Sequence, residues 1–206
     1  MNHFETRVPI LLQLGFRESA LPALQLYIEK LWSANEDLNL ISRKMTFDEL
    51  IDNHVIDSLL PLEYFPRKVR TIADLGSGGG LPAVIYALQF PHMEFYLFEK
   101  SPRKQEFLNS LKTIVPNIKV FGDIPPKLEK MDLITARGFK PIDVILEMTT
   151  HFYQHNGSYF LLKARREKID SEVNLVPKKI SLNSKIIPLK SPVLDVERHL
   201  VLIEKN

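Results

Sequence analysis

Asp74-Leu-Gly-Ser-Gly-Gly-Gly-Leu-Pro82 joins an apolar, β-prone run to a second apolar segment through four glycines within five residues. Val69 to Leu75 reads as a strand, and Leu81 to Phe90 as a helix with Pro82 in its first turn, where a missing N–H is no loss. Strand, glycine turn and helix in that order make a ligand cradle. The backbone can approach a bound molecule without a Cβ in the way, and the free N–H groups of the helix face it.

Spacing narrows the ligand. A dinucleotide fingerprint needs Gly-x-Gly-x-x-Gly, and Gly76 and Gly78 are followed by Leu81 at the third position. That disfavours a hydride-transferring oxidoreductase. The pattern met by Asp74, Gly76, Gly78 and Gly80, acid-x-Gly-x-Gly-x-Gly, resembles the first motif of class I S-adenosylmethionine-dependent methyltransferases. S-adenosylmethionine (AdoMet) has no pyrophosphate to seat on a helix end, so a turn that lets its methionine and ribose lie against backbone suffices.

With 206 residues, the chain can bury on the order of 70% of its unfolded surface, which suits one domain with an appendage. The composition, 45% hydrophobic and 25% charged, is that of a globular protein. No apolar run approaches the roughly 20 residues of a membrane span. The start, Met1-Asn-His-Phe-Glu-Thr-Arg, lacks the apolar core of a signal peptide, so a cytoplasmic location is expected. Zero cysteines excludes disulfides, thiolate metal sites and cysteine nucleophiles, and no metal site is expected. At a net charge of +2, any nucleic-acid contact must come from a local cluster of cations.

Ser19 to Asn35 places Leu21, Leu24, Tyr27, Ile28, Leu31 and Trp32 near the helical period, with Ser19 as N-cap. A second helix spans Thr46 to Leu60, with Thr46 and Glu49 in capping-box spacing. Within it, His54 and Asp57 are i, i+3 neighbours that can hydrogen-bond. Glu94 to Phe98 is a strand ending at Glu99, 21 positions after Gly78, where a carboxylate would accept from ribose hydroxyls. Further on, helices are expected over Ser101 to Val115, Pro141 to Gln154 and the charged stretch through Asn174. The remaining strands are expected over Asn117 to Phe121, Met131 to Ala136, Ser158 to Leu162, Lys178 to Leu189 and Arg198 to Glu204. This alternation predicts an α/β fold, a mostly parallel sheet with helices on both faces and an antiparallel end. The expected units are an N-terminal helical cap, 1–65, and a compact AdoMet-binding domain, 66–206.

In such sheets ligands bind beyond the carboxyl ends of strands. The residues there are Gly76 to Gly80, Glu99 with Lys100, Gly122 to Pro125, Arg137, and Lys163 with Arg165 and Arg166. Arg103 and Lys104 lie one turn further on, whereas Arg67, Lys68 and Arg70 fall at the opposite edge. The topological clustering of these cations suits RNA phosphates, with shape and base edges selecting the site.

Taken together, Asn39-Leu-Ile-Ser, Asn53-His-Val-Ile-Asp-Ser-Leu, the glycine stretch, Arg103-Lys-Gln-Glu-Phe-Leu, Thr135-Ala-Arg-Gly-Phe, Leu161-Leu-Lys and Arg198-His-Leu-Val-Leu-Ile-Glu-Lys resemble, in order, the bacterial small-subunit ribosomal RNA methyltransferase G family, also called glucose-inhibited division protein B. The resemblance implies a class I methyltransferase fold with a seven-stranded sheet and an antiparallel last strand. It also implies AdoMet-dependent methylation of N7 of one guanine in 16S rRNA, free or in a small-subunit particle, by a monomer. Carried over by motif, Gly76, Leu81 and the exit of the strand ending at Phe121, with Asp123 and Ile124, would contact AdoMet, and Arg137 would lie by it. Asp74, Ser77 and Gly78 of the glycine turn and Glu99 at the second strand end complete the expected cofactor set. His54, Asp57, Lys100, Arg103, Lys104, Arg137, Lys163 and Arg165 would hold RNA or shape the pocket. Guanine N7 carries no proton, so no acid–base pair is assigned. Gly79 and Ala83 replace a family proline and glycine, and Gly122-Asp-Ile-Pro-Pro replaces an Arg-Ala-Glu-like segment. A class I methyltransferase with another substrate, or a non-catalytic AdoMet- or RNA-binding assembly module, are the alternatives.

Overall fold

The computed structural model describes residues 3–178, 180 and 182–204. Strand β1 (Thr71–Leu75) is buried from Ile72 to Leu75, Ile72 in one apolar cluster and Ala73 and Leu75 in another. Burial on both faces is what a central parallel strand requires. Around it stand β2 (Glu94–Phe98), β3 (Ile118–Phe121), β4 (Leu133–Arg137), β5 (Ser158–Lys163), β6 (Asn183–Leu189) and β7 (Arg198–Glu204). Their order is β3-β2-β1-β4-β5-β7-β6. The strands β1 to β5 pair in parallel, and β7 runs antiparallel to both of its neighbours. The expected antiparallel end is therefore one reversed strand inserted between β5 and β6. Of the expected strand 178–189, Lys179 and Ser181 lie outside the described residues, β6 forms only Asn183–Leu189, and Lys178, Ile180 and Leu182 are not in a strand.

One face of the sheet carries α5 (Ala83–Gln89) and α6 (Pro102–Ser110), and beside them pack α1 (His3–Gln13), α2 (Leu21–Leu38) and a continuous helical rod. The rod comprises α3 (Phe47–Leu50), a π-helical stretch Ile51–Ile56 and α4 (Asp57–Leu59). The other face carries α7 (Ile142–Met148), α8 (Thr150–Gln154) and α9 (Arg166–Asn174). Phe65 joins the helical side to the sheet, its ring lying 5.0 Å from Phe90, 4.8 Å from Tyr86 and 5.1 Å from Phe160.

The expected capping box is present, with Thr46 N–H donating to Glu49 Oε2 and Glu49 N–H donating to Thr46 Oγ1. Several local expectations are corrected. Helix α2 starts after Ala20, because Glu18–Ala20 is a 3-10 turn, and runs on to a left-handed Asn39. Trp32 leaves the buried stripe and stands 36% exposed, edge-on to Phe47. Pro82 caps α5 rather than entering its first turn, since Tyr86 N–H bonds back to the Pro82 carbonyl. The helix after Ser101 tightens to 3-10 at Leu111–Thr113. The helix expected over 141–154 breaks at Thr149, whose hydroxyl turns inward to Ile145 O and Tyr159 Oη. Helix α1 is additional to the expected elements. Pro9 inside it argues against a helix locally, and α1 is held by buried Phe4 and Leu11 and by Arg7, which donates twice to Asp52, each at 2.8 Å.

Candidate functional site

β1 ends by delivering Asp74 into the sheet, 1% exposed. Thr135 Oγ1, from neighbouring β4, donates to Asp74 Oδ1 at 2.8 Å, and Ser77 Oγ donates to the Asp74 carbonyl. Among the described residues Asp74 Oδ2 is buried with no partner. Burial pushes this carboxyl up to about 6, against the pull of the Ser77 and Thr135 hydroxyls and the Arg137 charge. The chain then leaves the sheet slowly, because the N–H groups of Gly76 and Ser77 both donate to Phe98 O at the end of β2.

Gly78 sits at φ +53, and a Cβ there would meet only the Gly76 carbonyl, at 3.9 Å. Its N–H donates to Glu99 Oε2 at 2.9 Å, while Glu99 Oε1 accepts from Ser101 N–H. Glu99 thus ties the glycine turn to the start of α6 and keeps lone pairs free on both oxygens. Leu81 is buried where α5 begins. Beyond β3, Asp123 is exposed and lies 3.4 Å from Lys100, while Ile124 packs on the second core cluster. A backbone-lined turn, an orphaned carboxylate oxygen below it and a carboxylate at the next strand end fit a polar nucleoside–amino acid cofactor such as AdoMet.

On the other side of β1 opens a cleft of about 1000 Å³, lined from β4, β5, β7, α9 and the π-helical stretch. Arg137, at the end of β4, donates to Asp57 Oδ2 at 3.2 Å and through Nη2 to His54 Nδ1 at 2.8 Å. Arg198 Nε donates to Asp57 Oδ1 at 2.5 Å. His54 and Asp57 therefore do not bond each other as their spacing suggested, because both Asp57 oxygens and His54 Nδ1 are taken by arginines. A guanidinium cannot accept, so the His54 proton resides on Nε2, which is buried without a partner among the described residues. Burial first, then Arg137 and Arg198, holds the imidazole down to about 3. It is neutral.

Lys163 is a brace within this cleft. It donates to Glu172 Oε2 at 2.7 Å and to Lys140 O at 2.8 Å, and the same Glu172 oxygen accepts from Ile142 N–H. Arg165, at the start of α9, lines the cleft and is exposed. Lys100, Arg103 and Lys104 are not among the cleft-lining residues. The single basic patch expected from topology is therefore two groups, one beyond β2 and α6 and one beyond β4 and β5, with the glycine turn between them.

Arg198 and Phe139 join this edge without ending a parallel strand. Arg198 opens β7, and because β7 is reversed, its first residue stands where the parallel strands finish. Phe139 lies two residues past β4 and lines the cleft. Its ring abuts the glycine turn so closely that a Cβ on Gly76 would fall 2.2 Å from Phe139 Cδ2. His199 also serves the cleft, donating from Nδ1 to Ala164 O at 2.7 Å.

A protein-family model described as rRNA small subunit methyltransferase G matches residues 20–201. A protein of Bdellovibrio bacteriovorus named ribosomal RNA small subunit methyltransferase G 1 is 62% identical over 203 residues, covering 98% of this chain and 99% of its own. A ribosomal RNA small subunit methyltransferase G of Chromobacterium violaceum is 30% identical over 196 residues, covering 92% and 91%. Among solved structures, a putative O-methyltransferase from Klebsiella pneumoniae matches with a TM-score of 0.65 at 12% identity, over 98% of this chain and 96% of that one. A putative S-adenosylmethionine-dependent methyltransferase from Methanococcus maripaludis matches with a TM-score of 0.57 at 15% identity, over 87% and 92%. At such identities the likeness is one of fold.

Proposed function

The chain belongs to the rRNA small subunit methyltransferase G family, and on that premise we propose that it methylates N7 of one guanine in 16S rRNA with AdoMet as methyl donor. The reading rests above all on the adjacency of the two halves of the site, since Phe139 touches the glycine turn and lines the cleft at once. Asp74, Gly76, Ser77, Gly78, Leu81, Glu99, Asp123 and Ile124 would hold AdoMet. When bound, this cofactor supplies a methyl group on a sulfonium, an electrophile needing no further activation.

The residues of the chain then orient and enclose. Guanine N7 has an in-plane lone pair and no proton, so no base has to act before attack. His54, held neutral beside Arg137, is consistent with a site that moves no proton. Alignment and exclusion of water supply the rate. Asp57, His54, Arg137 and Arg198 shape one wall of the cleft. Arg165 faces RNA phosphate at its rim, Lys163 fixes the floor, and Lys100, Arg103 and Lys104 extend the phosphate track past α6. Among the described residues no helix is long and apolar enough to cross a membrane. A cytoplasmic monomer acting on free rRNA or on a small-subunit particle completes the proposal.

The test is to map N7-methylguanine in 16S rRNA from cells with and without this gene, and to restore it in vitro with purified protein, AdoMet and naked rRNA or particles. Loss of one modified guanine and its return are expected. Unchanged rRNA, with AdoMet binding intact by calorimetry, would point to another substrate. RNA affinity without AdoMet binding would point to an assembly module.

A further inference from the structure

Gly138, at φ +63, separates two side chains that serve the cleft in different ways. Arg137 is engaged by His54 and Asp57, whereas Phe139 is half-buried, lines the cleft and touches the glycine turn at Gly76. No other phenylalanine, tyrosine or tryptophan lines this cleft among the described residues, and the imidazoles of His54 and His199 are engaged by Arg137 and by Ala164 O. The ring also receives a cation, as the ammonium of Lys140 lies 5.7 Å from its centroid. That lysine is exposed at the cleft mouth, so its position over the ring marks a face accessible to a positively charged group.

Resting on the guanine-N7 reading, we propose that Phe139 is the platform on which the target guanine stacks with N7 directed at the cofactor turn. In the transfer, N7 contributes the lone pair that forms the new N–CH3 bond. The methyl–sulfur bond breaks, its electron pair stays on the departing thioether sulfur, and the positive charge passes to the purine. The base therefore becomes cationic as the reaction proceeds. An aromatic face attracts a cation more strongly than a neutral ring, so the stack tightens toward the transition state and contributes to rate as well as to binding.

The experiment compares Phe139→Leu, which keeps apolar bulk without a π-face, with Phe139→Tyr, which keeps the face. Four quantities are measured: single-turnover methyl transfer to 16S rRNA, calorimetric affinity for AdoMet, relative affinity for 7-methylguanosine monophosphate over guanosine monophosphate, and the thermal midpoint. In Phe139→Leu we expect transfer to fall on the order of 10- to 100-fold and the preference for the methylated, cationic nucleotide to vanish, with AdoMet affinity retained. Phe139→Tyr should hold both quantities within about threefold of the parent. Should the leucine variant unfold, Phe139→Met replaces it in the same comparison. Wild-type transfer and nucleotide preference in Phe139→Leu would overturn the proposal. So would loss of AdoMet affinity in step with transfer, because the ring would then only prop Gly76. A parent protein that prefers 7-methylguanosine monophosphate through Phe139 but never methylates rRNA would defeat the substrate assignment and leave the stacking platform standing.

Discussion

Asp57 holds two arginines in a cleft wall, and its removal would strand Arg137 and Arg198 beside a neutral imidazole. Asp57 is 8% exposed, so water replaces little of the lost compensation. Asp57→Ala is expected to destabilise the protein by about 3 kcal/mol, read as a shifted urea midpoint. A cycle with Arg198→Ala should recover part of that loss, because the second charge then no longer lacks its partner. Asp74 presents the opposite case. Its buried carboxylate is less favourable when ionised, and with an upward-shifted titration the penalty is fully felt at neutral pH and relieved as pH falls through about 6. His54 titrates lower in the folded than in the unfolded chain, so it contributes nothing at pH 7. Below about 6.5 the unfolded state gains a proton that the folded state refuses until about 3, and stability is lost in that window. The two trends oppose each other near pH 5. His54→Gln should accordingly be more stable relative to the parent at pH 5 than at pH 7. Asp74→Asn should be at least as stable as the parent at pH 7 while binding AdoMet more weakly. Denaturant midpoints at the two pH values and one AdoMet titration decide both points. A buried acid that burdens folding at working pH is what a ligand-directed group would look like.

At the scale of elements, the strands, the glycine turn and the flanking helices were legible because each carries its own period and its own breakers. The apolar run that ends at Leu75 reads as a strand, which the structure forms over Thr71–Leu75 and buries from Ile72 on, and Thr46 with Glu49 announces a helix start through two hydrogen bonds that involve neighbours only. Thr46→Ala, which takes away the hydroxyl oxygen that accepts from Glu49 N–H, is expected to cost about 1 kcal/mol, measured by thermal unfolding. What escaped the sequence depends on partners distant in the chain. Helix α1 is stabilised by Asp52, 45 residues away, in spite of Pro9. The π-helical stretch places His54 and Asp57 toward β4 and β7 in a way that i, i+3 counting does not describe. Arg198 was missed because a reversed strand offers its beginning, and not its end, to the ligand edge. Lys163 looked like a free cation at a strand terminus, yet Glu172, nine residues on, turns it into a brace.

Across the whole molecule, one apolar cluster runs from Phe4 and Leu24 through Phe65 to Phe160 and Leu200. We propose that the helical cap, 1–65, and the sheet domain, 66–206, are separable by sequence but not by stability. A fragment beginning at residue 66 would expose Tyr86, Phe90 and their neighbours, which the cap now covers. It is expected to aggregate or to lack cooperative unfolding, and a soluble, cooperatively melting fragment would refute this. Electrostatics at this scale are dispersed. Arg165→Ala should weaken RNA binding across sequences and reduce the salt slope of log affinity by about 1, in a filter-binding titration over several salt concentrations.

The contact between Asp57 and Arg198 joins residues 141 positions apart. Closing so long a loop comes late in folding, after local helices and neighbouring strands have already paired. The cleft wall is therefore expected to form after the cofactor turn. During refolding, recovery of methyl transfer is expected to lag behind recovery of helical signal and to coincide with the final docking of β7. Catalytic competence is in that sense a clock that starts only when Arg198 has found Asp57.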